Sequence, residues 1–215
     1  MAIRKVRAKA MFAILVAAVS CTSVLGQADS PPRSDAAPYE LKGDRLGSSL
    51  VEFKTRHSES FCSDAAPEKF SNDDASLKAV RERTVAGLIE CRIAPATVAT
   101  VAVPFLSFSF VDGRLYQISC HFQQKSHAVV WMALRDKYGE PPFIDKKEVQ
   151  NLFGATFSTR SYAWNNNVSS IYLVERNCFR SPCSDSDLET SFLAYSHKSL
   201  AEDAEGRRPK VKSDL

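Results

Sequence analysis

An α+β fold, with an antiparallel sheet built from hairpins and helices packed on one face, is what this 215-residue sequence predicts, and three observations carry the prediction. Two pairs of apolar, alternating segments are each joined by turn residues, the pattern of hairpins in a half-buried sheet. An amphipathic segment with recognisable helix signals lies ahead of each pair. The order helix, strands, helix, strands then suggests two similar helix-plus-hairpin half-units sharing one sheet, without an exact internal repeat.

The chain opens with the layout of a secretory signal. Arg4, Lys5, Arg7 and Lys9 form a basic start and residues 10–19 a short apolar run. The uncharged stretch 10–26 contains Ser20, Thr22, Ser23 and Gly26, whereas a spanning helix wants about 20 mostly apolar residues. Residues 1–26 therefore read as a signal segment in preference to an anchor. Val24-Leu25-Gly26 suits ordinary cleavage, while Ala18-Val19-Ser20-Cys21 resembles a lipoprotein box with Ala18 where leucine usually stands, which keeps lipidation of Cys21 open.

The signal holds four of the 28 basic residues and none of the 25 acidic ones, so the remainder has one more acidic than basic residue. No electrostatic footprint for nucleic acid survives. Contact with a membrane is expected only through a lipidated Cys21 or a retained signal. The expected location is periplasmic or secreted, with membrane anchoring as the alternative. Residues 27–38, with Pro31, Pro32 and Pro38, are too polar to offset chain entropy and read as a disordered linker. Residues 39–200 form the single domain, and 201–215 read as a charged, disordered tail.

Within the domain, Ser49-Leu50-Val51-Glu52 is a capping box that starts a helix with Leu50 and Phe53 on one face, ended by Ser58-Glu59-Ser60. A weak helix is expected through Val80, and a strand from Thr84 to Cys91, with Gly87 weakening it. Leu106-Ser107-Phe108-Ser109-Phe110 and Tyr116 to Phe122 flank Val111-Asp112-Gly113 and form a hairpin. A two-residue turn would set Phe108 opposite Gln117, so a three-residue loop is expected, aligning Phe108 with Tyr116 and Leu106 with Ile118. Cys120 then lies on the apolar face and His121 on the other.

Ser126 caps a second helix through Tyr138, with Val130, Trp131, Leu134 and Tyr138 as its apolar stripe, Gly139 at its end, and Pro141 and Pro142 forbidding continuation. After a looser stretch, a second hairpin turns at Asn166 and Asn167, placing Tyr162 opposite Ile171 and Trp164 opposite Ser169. Ser191 to Tyr195 adds a strand before a short C-terminal helix. Asn167-Val168-Ser169 is a sequon, read here as a turn.

Five cysteines remain once Cys21 is set aside, so one is left over, and sequence alone leaves the connectivity open. Cys178 and Cys183 bracket a short loop that Pro182 can fold back, making a bridge there the first candidate. Cys62 with Cys91 is the second, because it would tie down the insertion between them.

The chemistry-bearing motifs are largely missing. His57, His121, His127 and His197 stand in no metal-ligand spacing, the eight glycines form no phosphate cradle, and there is no Gly-x-Ser-x-Gly elbow. No cofactor is expected. An enzyme would have to assemble its site around Cys120 or His121, with His57 as a further candidate base. Tyr116, Trp131, Tyr138, Tyr162, Trp164 and Tyr172 fit the apolar faces of their elements and read as core in preference to a ligand groove.

Leu134-Arg135-Asp136-Lys137-Tyr138-Gly139-Glu140-Pro141, followed by Trp164 and the strand 171–174, resembles the build of small exported bacterial proteins: the outer-membrane assembly lipoproteins of the small-protein-A type and the β-lactamase inhibitor proteins. Gly47 to Phe53 with Phe110 to Ile118 looks like a first copy of the same plan. The resemblance implies an exported α+β module. No binding residue matches position by position, so none is carried over. The function expected is a non-catalytic envelope module that binds a protein, wall or membrane component through one sheet face or its loops. The rival is an exported enzyme centred on Cys120 or His121.

Overall fold

A computed structural model describes residues 37–179 and 182–208. The expected signal segment, Cys21 within it and the linker as far as residue 36 lie outside the described residues.

The small hairpin β1 (Glu40–Leu41) and β2 (Asp44–Arg45) turns at Lys42 and Gly43. Helix α1 (Leu50–Arg56) begins at the capping box read from the sequence: Glu52 N–H donates to Ser49 Oγ at 3.1 Å and Ser49 N–H to the Glu52 carboxylate at 2.9 Å. After β3 (Phe61–Cys62) comes α2 (Asp74–Val85), capped by Asp73. The helix expected only through Val80 thus continues through Val85, and β4 (Leu88–Ile93) starts later than expected. Gly87, at φ 79°, is the turn between them and not a weak point within the strand. A Cβ there would stand 2.6 Å from Asp112 Oδ1, so this close approach needs glycine.

A cis Ala94–Pro95 bond leads into the hairpin β5 (Ala96–Val98) and β6 (Val101–Val103). Next come β7 (Leu106–Val111) and β8 (Arg114–Gln123). Their turn is the two-residue Asp112-Gly113, both at positive φ (46° and 71°), and not the three-residue loop expected. An irregularity at Ser109/Phe110 then shifts the register, so that Phe108 faces Ile118 and Phe110 faces Leu115. The bulge removes the face-mixing that argued against a two-residue turn. It also sends Tyr116 to the side opposite Phe108, where it packs with Leu88, Val111 and Ala204.

Helix α3 (His127–Tyr138) follows, with Ser126 at its start but no side-chain cap bond from it, and with Gly139 at φ 79° as its stop. What read as a loose stretch contains β9 (Phe143–Gln150), and β10 (Thr156–Asn165) begins well before Ser161. β10 pairs with β11 (Ser169–Val174), setting Trp164 opposite Ile171 and Tyr162 opposite Leu173. This differs by two residues from the expected register and keeps the same face. The turn is a four-residue loop closed by Asn166, whose Oδ1 accepts from Val168 N–H (2.9 Å) and Ser169 N–H (2.7 Å). Short α4 (Asp185–Leu188), β12 (Thr190–His197) and α5 (Lys198–Arg207) complete the chain. Residues 201–207, expected in the disordered tail, therefore belong to α5, where Ala204 is buried.

Eight strands form one antiparallel sheet in the order β3-β4-β7-β8-β12-β11-β10-β9. Each half is a four-strand run, preceded by a helix on the common face, and the halves join where β8 meets β12. That face carries the main core, in which Phe53 of α1 and Val130, Leu134 and Tyr138 of α3 bury against Phe108, Ile118, Trp164, Ile171 and Tyr195. Trp131, expected in the buried stripe, packs only partly buried at its margin. The sheet's second face carries α5, packed through Ala204, and α2, which lies along β4. Helices thus stand on both faces, with α1 and α3 on the one that holds the main core.

Candidate functional site

The cysteines settle first. Cys62 faces Cys91 across β3 and β4, and the two are joined with Cα atoms 4.0 Å apart. Cys178 and Cys183 are joined across their loop at a Cα separation of 5.6 Å. These are the two pairs selected from the sequence. Paired disulfides of this kind belong to an oxidising compartment. Cys120 is the thiol left over. It is 1% exposed on the core face, and burial pushes its thiol up to about 12. A thiol so held is protonated and inert at ordinary pH.

The candidate histidines do not approach it. His121 projects from the other side of β8, against the Phe192 ring at 4.9 Å, and burial lowers its pKa, with the Asp187 charge opposing. His57, at the end of α1, presents Nε2 to both oxygens of buried Asp44 at 3.0 Å, and its Nδ1 lies 3.6 Å from Glu59. Arg56 also donates to Asp44. With Nε2 bonded to both Asp44 oxygens, His57 pins the β1–β2 hairpin to α1. The structure therefore does not assemble the Cys120–His121–His57 constellation. Among the described residues no group of acidic, histidine and cysteine side chains could hold a metal ion.

A different site appears on the second face. Because β7 and β8 alternate, the Phe108 side faces the core, and Ser107, Ser109, Gln117 and Ser119 on the other side form a floor. α2 supplies one wall with Ser76 and Arg83, and Arg208 at the end of α5 stands at the rim, enclosing an open groove of about 840 Å³. α5 is held by Arg207, whose guanidinium donates to Asp112 at 2.6 Å and, in the same helix, to Asp203 at 3.0 Å. The bond from Arg207 keeps the Asp112 carboxyl below its usual range.

One end of the groove is ordered by charge. Glu90 accepts from Arg92 Nε at 2.8 Å and from Ser107 Oγ at 3.1 Å, while its N–H donates to Ser63 Oγ at 3.1 Å. The Arg92 guanidinium lies between the Phe70 and Phe105 rings, 4.6 Å from each centroid. Hydroxyls, the Glu90 carboxylate, the Phe70 and Tyr116 side chains and the exposed cation Arg83 thus line one concave surface, suited to a polar, extended ligand. A second concavity of about 860 Å³, between the β5–β6 hairpin and the start of α3, is lined mainly by apolar groups such as Val101, Pro104, Phe122 and Val129.

The sequence reading weighed Tyr116 as a possible ligand lining but singled out none of the polar groove residues. Their one signal was the run of small polar side chains at alternate positions on both strands of the first hairpin, which reads equally as an ordinary solvated face. Of the six aromatics weighed as a ligand lining, Tyr138, Tyr162 and Trp164 are buried in the main core, Trp131 packs half-buried at its margin, Tyr172 is half-buried, and Tyr116, though buried, lines the groove. Comparison of the chain with protein-family models, with curated proteins and with solved structures gives no match.

Proposed function

We propose that this protein is an exported, non-catalytic binding module of the cell envelope, and that it holds a polar segment of a partner protein or wall component in the groove between α2 and α5. The observation that carries the proposal is the groove floor itself, in which Ser107, Ser109 and Ser119 stand beside the Glu90 carboxylate that Ser107 Oγ bonds. Such a surface offers hydroxyl and carboxylate hydrogen-bonding groups beside the Phe70 and Tyr116 rings. Two disulfides and the basic, apolar start of the sequence support export. The likeness to small exported envelope proteins supports the same class.

The test compares wild type with Ser109→Trp, which fills the groove from its floor, for retention of envelope proteins and of purified wall material on immobilised protein. Loss of the retained component in the tryptophan variant, with an unchanged melting temperature, is the expected result. Equal retention by both would remove the groove from the function.

A further inference from the structure

The two edges of the sheet are unlike. At one, β3 is two residues long and tied to β4 by a disulfide. At the other, β9 runs for eight residues, seven of them exposed, and among the described residues no strand pairs with its outer side. Phe143 and Ile144 are 54% and 56% exposed there. An open edge of this length is a template for another strand.

The hydrogen bonds fix which groups that edge offers. Asn151 N–H donates inward to Ala155 O, and Gln150 O accepts from Cys183 N–H on the outer side. A strand residue points its N–H and C=O the same way and its neighbours point theirs oppositely. Odd-numbered residues of β9 are therefore bonded to β10, and Ile144, Lys146 and Glu148 face outward. Cys183 closes this row at Gln150, and Pro142, which lacks an N–H, closes it at the other end. The free edge is thus centred on Lys146.

We propose that β9 is a homodimer interface, in which two copies pair antiparallel about Lys146 and continue the sheet across the join. A two-fold axis at Lys146 sets Ile144 against Glu148 of the second copy, so that all three outward residues of each strand find main-chain partners. On the second face the same register sets Asp145 against Lys147 of the second copy, twice, while each Lys147 also donates from Nζ to Cys178 O of its own chain at 3.3 Å. Opposite charges directly across a pair attract. On the first face Lys146 meets Lys146 of the second copy, flanked by Glu148 from each strand, so that quartet is neutral. The strand's own charges, Asp145, Lys146, Lys147 and Glu148, cancel. Lysines on an edge repel indiscriminate pairing, and the register about Lys146 is the one that gives all three outward residues of each strand a main-chain partner, since Gln150 O is already taken by Cys183 N–H and Pro142 has no N–H.

Sedimentation velocity on the oxidised full chain at about 100 μM, where a small interface is populated, is the test. Wild type is expected to be dimeric, and Asp145→Lys and Lys147→Asp each monomeric. An equal mixture of the two variants is expected to regain the dimer, because each strand then meets its complement. Lys146→Pro removes an outward N–H while keeping the inward ladder, so it is expected to be monomeric with an unchanged near-ultraviolet circular dichroism spectrum. A monomeric wild type, a dimeric single variant, a dimeric proline variant, or a mixture that stays monomeric would each overturn the proposal.

Discussion

Phe108→Ala should cost on the order of 3–5 kcal/mol, the range for removing a buried aromatic ring and leaving a cavity. The ring is 1% exposed and stands 4.6 Å, centroid to centroid, from Phe53 of α1. Its cross-strand neighbours are Ile118 on β8 and Cys91 on β4, and Cys91 is fixed by its disulfide to Cys62. A site walled by a helix anchor and a bridged strand has little room to collapse, which places the loss toward the upper end of the range. Ser109, one residue on, lines the groove on the opposite face, and Ser109→Ala should stay within about 0.5 kcal/mol, as surface changes do. Urea denaturation of the three proteins at constant slope measures the contrast. Equal losses, or a larger loss at Ser109, would show that the buried side of β7 has been assigned wrongly.

Acid should weaken the fold before any carboxylate is titrated. His127, His121 and His197 are all held below the ordinary histidine range, first by burial; Arg160 adds to this at His127 and Arg114 at His197, while Glu175 and Asp187 oppose it at His127 and His121. The unfolded chain then binds more protons, so stability is full above the unfolded pKa of about 6.5 and falls as pH drops through it. The urea midpoint should decline between about pH 7.5 and 5, less steeply in His127→Gln, and a midpoint that is level or rises on acidification would refute this. Cys120 should not react with a thiol reagent at about pH 8 in the folded protein and should become reactive on unfolding; fast labelling of Cys120 in the folded state would return it to consideration as a nucleophile.

What could be read in advance follows the physics of each element. The capping box at Ser49 and Glu52 is local, needs nothing from the rest of the chain, and is found where it was read. Of the two cysteine pairs, Cys178 and Cys183 are close for a local reason, five residues apart around a short loop, whereas Cys62 and Cys91 are 29 apart and meet only because β3 pairs with β4. The first hairpin was legible as a hairpin but not in its register, because parity allows either a longer turn or a bulge, and packing of Leu115 beneath and Tyr116 above chose the bulge. β9 was invisible because an edge strand wet on both faces shows no alternation, and Phe143-Ile144-Asp145-Lys146-Lys147-Glu148 has none. The groove escaped notice for a related reason. Serines on the back of a strand look alike in sequence whether they face open water or a hollow between two helices, and only the placement of α2 and α5 distinguishes the two.

The join between β8 and β12 has a consequence for how the chain reaches this structure. Within each half the pairings β4–β7 and β7–β8, or β9–β10 and β10–β11, connect near neighbours in sequence and close short loops. β8 with β12 is different: Ile118 must find Tyr195 and Cys120 must find Leu193 after the whole second half has been laid down. Short-range pairing is fast and long-range pairing slow, since the loop entropy is spent before the contact forms. The two halves should therefore gain structure early and independently, and their docking along this central seam should set the folding rate. Substitutions at the seam, such as Leu193→Ala, would then slow folding more than substitutions in the outer hairpins, which would chiefly hasten unfolding.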